Sequence, residues 1–271
     1  WLKPFCLKTF CCSDAMSPAV AVHLPHSAVL SDPCTLHELR IRIDSLEEPI
    51  RLLEAKDSEE ATRVYKAFGE DDPFGARAWP SACICAQRLL AEGVRGRTVL
   101  ELGCGTGLVA TAALLGGARF VLATDRSRAN VDRAVASARL NGKELQGEVF
   151  DVTLPMPLPC RASPHCGNIH QPSLEFPSHL LPETFDFAVF SDVLYWPELA
   201  TAFGRRAAEA FAGGSTVIVA DPGRRSDEFV KALRSELRRL GVEPLPQVDL
   251  LPTSCPTPEW VSADVRMASS L

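Results

Sequence analysis

From Thr98 onward the chain alternates between short apolar runs and longer stretches whose apolar positions recur three and four residues apart. The first pattern predicts buried strands and the second amphipathic helices. Strands are expected at Thr98–Leu102, Phe120–Thr124, Glu148–Phe150 (ending at Asp151), Phe187–Ser191 and Thr216–Ala220. Helices are expected over 108–115, 128–140 and 198–211, with a last one that Ser226 caps and Gly241 ends. Gly116-Gly117, Asn141-Gly142 and Gly213-Gly214 are the stop signals, and Asp227 and Glu228 suit the positive end of the last helix dipole. Ahead of this core, Trp79-Pro80 opens an amphipathic helix to about Ala91. Strictly alternating strand and helix predicts an α/β, doubly wound, mostly parallel sheet. Segments near 244–251 and 260–267 would add a final antiparallel pair, making seven strands. In such a sheet, ligands sit beyond the carboxyl ends of the strands.

The N-terminal part reads differently. Leu39-Arg40-Ile41-Arg42-Ile43 alternates, and Ile50-Arg51-Leu52 resumes after a turn at Glu47-Glu48-Pro49. Residues 36–70 are thus expected to form a small β extension, and 71–271 the main domain. Residues 1–35 begin on Trp1, lack Arg and carry Lys3 and Lys8 before the first acid, Asp14. They are expected to be disordered or a targeting remnant. Residues 154–182 hold Pro155, Pro157, Pro159, Pro164, Pro172, Pro177 and Pro182, which excludes a regular helix and predicts an inserted surface loop.

Composition narrows the function classes. A chain of 271 residues with 46% hydrophobic content can bury a full core. Its net charge is −6 and no basic block interrupts it, which argues against a nucleic-acid partner. No apolar run approaches the roughly 20 residues of a membrane-spanning helix, so no membrane partner is expected. Ten cysteines are scattered without a framework spacing, which predicts reduced thiols and an intracellular, cytoplasmic monomer, with a mitochondrial location as the alternative. Cys160-x5-Cys166-x3-His170 matches no common zinc spacing, and no metal is expected.

The chemistry gathers at Glu101-Leu102-Gly103-Cys104-Gly105-Thr106-Gly107, which follows the first core strand. Glycines there permit positive φ and close approach of a ligand to the backbone, and the free N–H groups of the next helix face it. Asp125, at the end of the following strand, stands beside the loop and can accept both hydroxyls of a ribose. A plain βα turn would also use glycine for tight packing. Leu108 stands where a dinucleotide loop would place its third glycine, so a nucleoside other than a dinucleotide is favoured. Ser191-Asp192-Val193-Leu194-Tyr195 follows the fourth strand, and Asp192 and Tyr195, three apart on a turn, can reach one point. Together they can orient an amine and stabilise charge on it; an ordinary loop acid and a packing aromatic is the other reading.

The loop, with Glu101 two residues before its first glycine, resembles motif I of the class I S-adenosylmethionine (AdoMet) methyltransferases, a Rossmann-like fold. Gly75-x-x-x-Trp79-Pro80-Ser81-Ala82, the loop, Asp125 and Asp192-x-x-Tyr195 together are similar to the family-16 seven-β-strand protein methyltransferases, over about residues 70–240. Asp221-Pro222-Gly223-Arg224 and the Asp72–Pro80 segment resemble most the branch acting on the electron-transfer-flavoprotein β-subunit. The resemblance implies AdoMet as cofactor and an unidentified protein as acceptor, with lysine the side chain modified. It implies that Trp79 packs near the cofactor, that Glu101 sits near its ammonium and that Gly103 and Gly105 line it. Asp125 would bind its ribose, Asp151 would stand near the adenine amino group and Ser191 would touch it. Where several family members carry Trp just after the position of Asp151, this chain has Val152. Asp192 and Tyr195 would be the catalytic pair. Arg224 and Arg225 are expected on a solvated rim, with a grip on an acidic substrate patch as the other reading. A small-molecule N-methyltransferase and a non-catalytic AdoMet-binding protein are the alternatives.

Overall fold

An apolar strand flanked by strands on both edges needs a helical layer on each face, and the chain supplies helices in the order that such a sandwich requires. A computed structural model describes residues 5–9, 35–67, 73–156, 158–160, 181–246 and 248–252. The elements in chain order are β1 (Phe5–Thr9), β2 (Leu36–Ile41), β3 (Ile50–Ala55), α1 (Ser58–Ala67), α2 (Pro80–Ala91), β4 (Thr98–Leu102), α3 (Leu108–Leu115), β5 (Phe120–Asp125), α4 (Arg128–Leu140), β6 (Gln146–Val149), β7 (Phe187–Ser191), α5 (Pro197–Ala212), β8 (Thr216–Asp221), α6 (Ser226–Arg239) and β9 (Val248–Pro252). A 3-10 turn, Pro73–Ala76, precedes α2.

The main sheet has seven strands in the order β6-β5-β4-β7-β8-β1-β9, and every pairing in it is parallel. Side chains alternate between its faces with period two. Val99, Val121, Ala123 and Val189 join one core with α2, α3 and α4, whereas Leu100, Leu122, Ala188 and Phe190 join the other with α5 and α6. Burying each Leu, Val or Phe in these layers contributes about 1.5–3 kcal/mol. Strand order reverses at β4, with β5 on one side and β7 on the other. That switch point opens a crevice at the carboxyl ends, where the glycine loop lies.

Several expectations change. Residues 5–9, expected to be disordered or part of a targeting remnant, form β1, with Cys6 opposite both Ile218 and Asp249. Backbone hydrogen bonds offered by an open sheet edge suffice to seat a short strand there. Of the expected antiparallel pair in the tail, 248–252 forms β9, which runs parallel to β1, and 260–267 lies outside the described residues. Within the insertion at 154–182, Leu158 and Leu181 are buried in the α5–α6 core; residues 161–180 lie outside the described residues. Ser226 is the first residue of α6, whose N-cap position is Arg225, and no side chain caps it.

The hairpin β2–β3 shares its core with the main fold: Ile41, Ile43, Ile50 and Leu52 pack with α2 and α3. Asn141, at the end of α4, clasps the backbone of Arg51 through both ends of its amide, at 2.9 and 2.7 Å. Helix α1 within this extension was not anticipated. Its signal was present, because Asp57 Oδ1 accepts the Glu59 N–H at 2.7 Å and Glu59 and Glu60 occupy the first turn. Among the described residues, no helix is long and apolar enough to cross a membrane.

Candidate active site

Strand β4 delivers the chain into the glycine loop, whose last residue, Gly107, is the N-cap of α3 with φ 79°. A Cβ on Gly107 would lie 2.6 Å from the Cβ of Ala134, so the loop lies flush against α4. At Gly105, φ is 50° and a Cβ would meet the Gly75 carbonyl oxygen at 3.1 Å. Both positions therefore require glycine, for conformation and for space. The loop thus presents its main chain to the cleft, closely faced by the 3-10 turn.

Asp125 ends β5 and is buried, yet it forms part of the cleft wall. Its Oδ2 accepts the Gly105 N–H at 3.0 Å, and its Oδ1 accepts Ser127 N and Asn130 Nδ2, each at 3.0 Å. Behind it, the fully buried Arg133 donates through Nη1 to Asn130 Oδ1 at 2.9 Å and to the Gly75 carbonyl at 2.8 Å. One network thus joins the acid, the glycine loop and the opposite turn. Sequence reasoning did not find Asn130 or Arg133. Their signal was polar residues on the inward stripe of α4, at spacing three.

Glu101 lies one layer below the loop. It is buried, does not form part of the cleft wall, and its Oε2 accepts the Ala110 N–H in the first turn of α3 at 2.9 Å. The expected place beside a cofactor ammonium is corrected to a helix-capping role, because α3 begins directly over the strand end and its N–H groups need an acceptor. Burial pushes the Glu101 carboxyl up to about 8; the Ala110 N–H opposes this and the negative charge of Asp125 adds to it. A carboxyl held protonated in the fold stabilises fully below its unfolded value, 4.5, and that contribution is lost as pH rises through about 8. Glu101→Gln keeps an oxygen for Ala110 and never ionises. It is expected to match the native protein near pH 4 and to exceed its stability by on the order of a few kcal/mol near pH 9. Urea unfolding at the two pH values checks this, and parallel pH profiles for both proteins would contradict it.

At the other end of the cleft, β7 places Ser191 and Tyr195 on the wall. Asp192 is kept behind them, buried, with φ 56°, a left-handed conformation that Asp tolerates better than most residues. Its Oδ2 accepts Ser81 Oγ from the first turn of α2 at 2.8 Å, and its Oδ1 is paired with Arg224 Nη2. Burial raises the Asp192 carboxyl above the usual range; the charge of Arg224 and the Ser81 hydroxyl oppose it, and Asp221 adds to it. Arg224 also pairs with Asp221 Oδ2 at 3.0 Å and lies over the Tyr195 ring, 4.5 Å from its centroid. Arg224 is thus corrected from a solvated rim residue to the link between Asp192 and Tyr195. Nothing in sequence spacing joins residue 192 to residue 224; adjacency of β7 and β8 does.

Trp79, at the N-cap of α2, lines the cleft and donates from Nε1 to the Phe74 carbonyl at 2.8 Å. The hairpin steadies this wall, since Glu54 accepts Ala78 N at 3.1 Å and meets Arg77 Nη2 at 3.5 Å. Phe74 and Trp196, exposed at 38% and 42%, stack around Tyr195 at the mouth. Asp151 lines the cleft with Phe150 and Val152, its Oδ1 taken by Thr153 N and Oγ1 at 2.8 and 2.7 Å. Of the residues expected from sequence, Trp79, Gly103, Gly105, Asp125, Asp151, Ser191 and Tyr195 meet in one cleft, and Glu101 and Asp192 stand behind it. Among the described residues, no group of three or more His, Cys, Asp or Glu could hold a metal; Cys166 and His170 lie outside them.

A glycine-rich loop at a helix start, an acid beside it and apolar Leu108, Phe150 and Val152 along the wall fit a nucleoside carrying a short charged chain. The class that these features define is an AdoMet-dependent methyltransferase. Residues 82–247 match the family described as a methyltransferase domain, and the chain belongs to that family. The lysine methyltransferase of the electron transfer flavoprotein beta subunit from Xenopus laevis is 30% identical over 233 residues, covering 84% of this chain and 77% of that protein. Ribosomal protein L11 methyltransferase of Pseudomonas aeruginosa is 36% identical over 88 residues, 32% of this chain. The chain spans only 29% of the length of that relative. Among solved structures, a TehB-like SAM-dependent methyltransferase from Corynebacterium glutamicum is 17% identical with a TM-score of 0.41, covering 68% of this chain and 82% of that one. The cofactor is S-adenosylmethionine.

Proposed function

We propose that this protein transfers a methyl group from AdoMet to a side-chain nitrogen of another protein, a lysine amine of a non-histone protein being the acceptor. The observation that carries the reading is one cleft with a ribose acid, Asp125, at one end and the Ser191–Tyr195 wall backed by Asp192 at the other. When bound, AdoMet supplies an already activated methyl group. The chain's own task is therefore placement: an unprotonated amine must lie in line with that methyl. Ser191 and Tyr195 bound the space it would enter, and the Asp192 charge favours the cation that develops on nitrogen. Asp125, steadied by Gly105 and Asn130, would accept the ribose hydroxyls, and Asp151 would accept the adenine amino group. The exposed aromatic rim of Phe74 and Trp196 suits an acceptor larger than a metabolite. A cytoplasmic location, with the chain a monomer, is part of the same proposal; the location rests on the scattered cysteines.

The test is a lysate of the source organism incubated with the protein and methyl-labelled AdoMet. One labelled protein, with label mapped by mass spectrometry to a lysine, is expected. Label found only in small molecules, or nowhere while calorimetry registers AdoMet binding, would overturn the protein-acceptor reading.

A further inference from the structure

Directly behind the acceptor end of the cleft, one cation lies between two anions and the ring of a wall residue, Tyr195. Asp192 and Asp221 are buried, at 4% and 1% exposure, and both reach Arg224 Nη2. Each carboxylate is otherwise anchored independently of that guanidinium. Ser81 holds Asp192 at 2.8 Å; Gly223 N holds Asp221 Oδ1 at 2.9 Å and Leu194 N holds its Oδ2 at 3.1 Å. Arg224, by contrast, has a side chain 36% exposed, on a long stem just past Gly223. Its guanidinium lies 4.5 Å over the ring of Tyr195, which is itself part of the cleft wall. The anions are held by other groups as well, and the cation is the partly exposed member.

Resting on the N-methyl-acceptor reading of this cleft, we propose that Arg224 is the specificity-determining residue of the acceptor end. Its guanidinium occupies the position between Asp192 and the Tyr195 ring that an acceptor's cationic side chain takes, and the acceptor enters by exchanging with it. Removing a cation from two buried carboxylates is strongly unfavourable unless another cation replaces it. An acceptor bearing an alcohol or amide therefore leaves the carboxylates uncompensated, whereas an ammonium on a flexible stem restores both the ion pair and the contact with the ring. It enters as the ammonium and must release one proton to water before its nitrogen can take the methyl group. Rejection of neutral acceptors is in this way as much a part of the selectivity as attraction of cationic ones.

The probe is n-butylammonium, which reproduces a lysine side chain, with n-butanol as its neutral counterpart, titrated calorimetrically into the native protein and Arg224→Ala. Arg224→Ala is expected to bind n-butylammonium at least about tenfold more tightly than the native protein, because no resident cation competes. Adding Asp192→Asn should abolish that gain, and n-butanol should bind neither protein. Equal affinity of native protein and variant for n-butylammonium, or a gain indifferent to Asp192→Asn, overturns the proposal. If Arg224→Ala fails to fold, Arg224→Gln keeps a polar end on a shorter stem and loses the charge, and the same comparison decides. Binding is read without methyl transfer, so the two readings separate. A subsite that passes this test in a protein that labels no lysate protein refutes the protein-acceptor reading alone. Labelled lysine with no effect of Arg224 on the probe refutes only the exchange.

Discussion

Asp192→Asn is expected to lower the methyl-transfer rate by roughly 100- to 1,000-fold, the size of effect seen when one preorganised charge-stabilising group is removed from an enzyme site. Asn tolerates the left-handed φ of 56° and retains an oxygen for the Ser81 hydroxyl, so the substitution removes charge with little else. AdoMet affinity should change by less than about threefold, since Asp192 stands behind the wall and not on it. The native protein adds a pH signature. Burial raises the Asp192 carboxyl, and the carboxylate is the useful form, so activity should be present at high pH and fall as pH drops through a value higher than that of an exposed Asp. That limb should vanish in Asp192→Asn. Initial rates against pH with the acceptor identified by lysate labelling are the measurement. An unchanged rate in the variant would remove Asp192 from the mechanism.

The second large effect belongs to the opposite end. Asp125→Ala should weaken AdoMet binding by on the order of 100- to 10,000-fold, because two charge-assisted hydrogen bonds to a ribose are lost at about 1.5–3 kcal/mol each. The same change strands the N–H groups of Gly105 and Ser127 and the amide of Asn130, so the apo protein should also melt earlier. Calorimetric titration well below the melting temperature separates the two consequences. Retained affinity in a folded variant would show that the ribose is held elsewhere.

Most of the scaffold was legible along the chain. Helices α3 and α4 appear with the bounds that glycine stops and apolar spacing indicated, and β4, β7 and the loop likewise. These features are local: strand period, helix period and the φ that only glycine adopts freely are set within a few residues. The loop residues Gly103 and Gly105, with Asp125 twenty residues past Gly105, were legible for the same reason, since a βαβ unit fixes where its two strand ends meet. Helix α1 is legible too, from Asp57 and the acids that follow it.

What the chain could not state locally is which groups stand on the cleft and which stand behind it. Glu101 and Asp192 each carry the residue type that a site needs, yet packing turns the first beneath α3 and the second toward Ser81 and Arg224. Arg133, a cation in an amphipathic helix, is drawn wholly inside to join Asn130 and Gly75. Arg224 comes to Asp192 across 32 residues because β7 and β8 are neighbours in the sheet. β1 likewise takes its place beside β8 through backbone pairing that any extended segment can offer. Fold class and nucleoside loop can be read along the chain because they depend on short-range geometry, and the family follows from motifs similar to those of known methyltransferases. Which carboxylate faces the ligand, which caps a helix and which is held by an arginine depends on the packed fold, because desolvation and partner choice are settled by the elements that pack against each group.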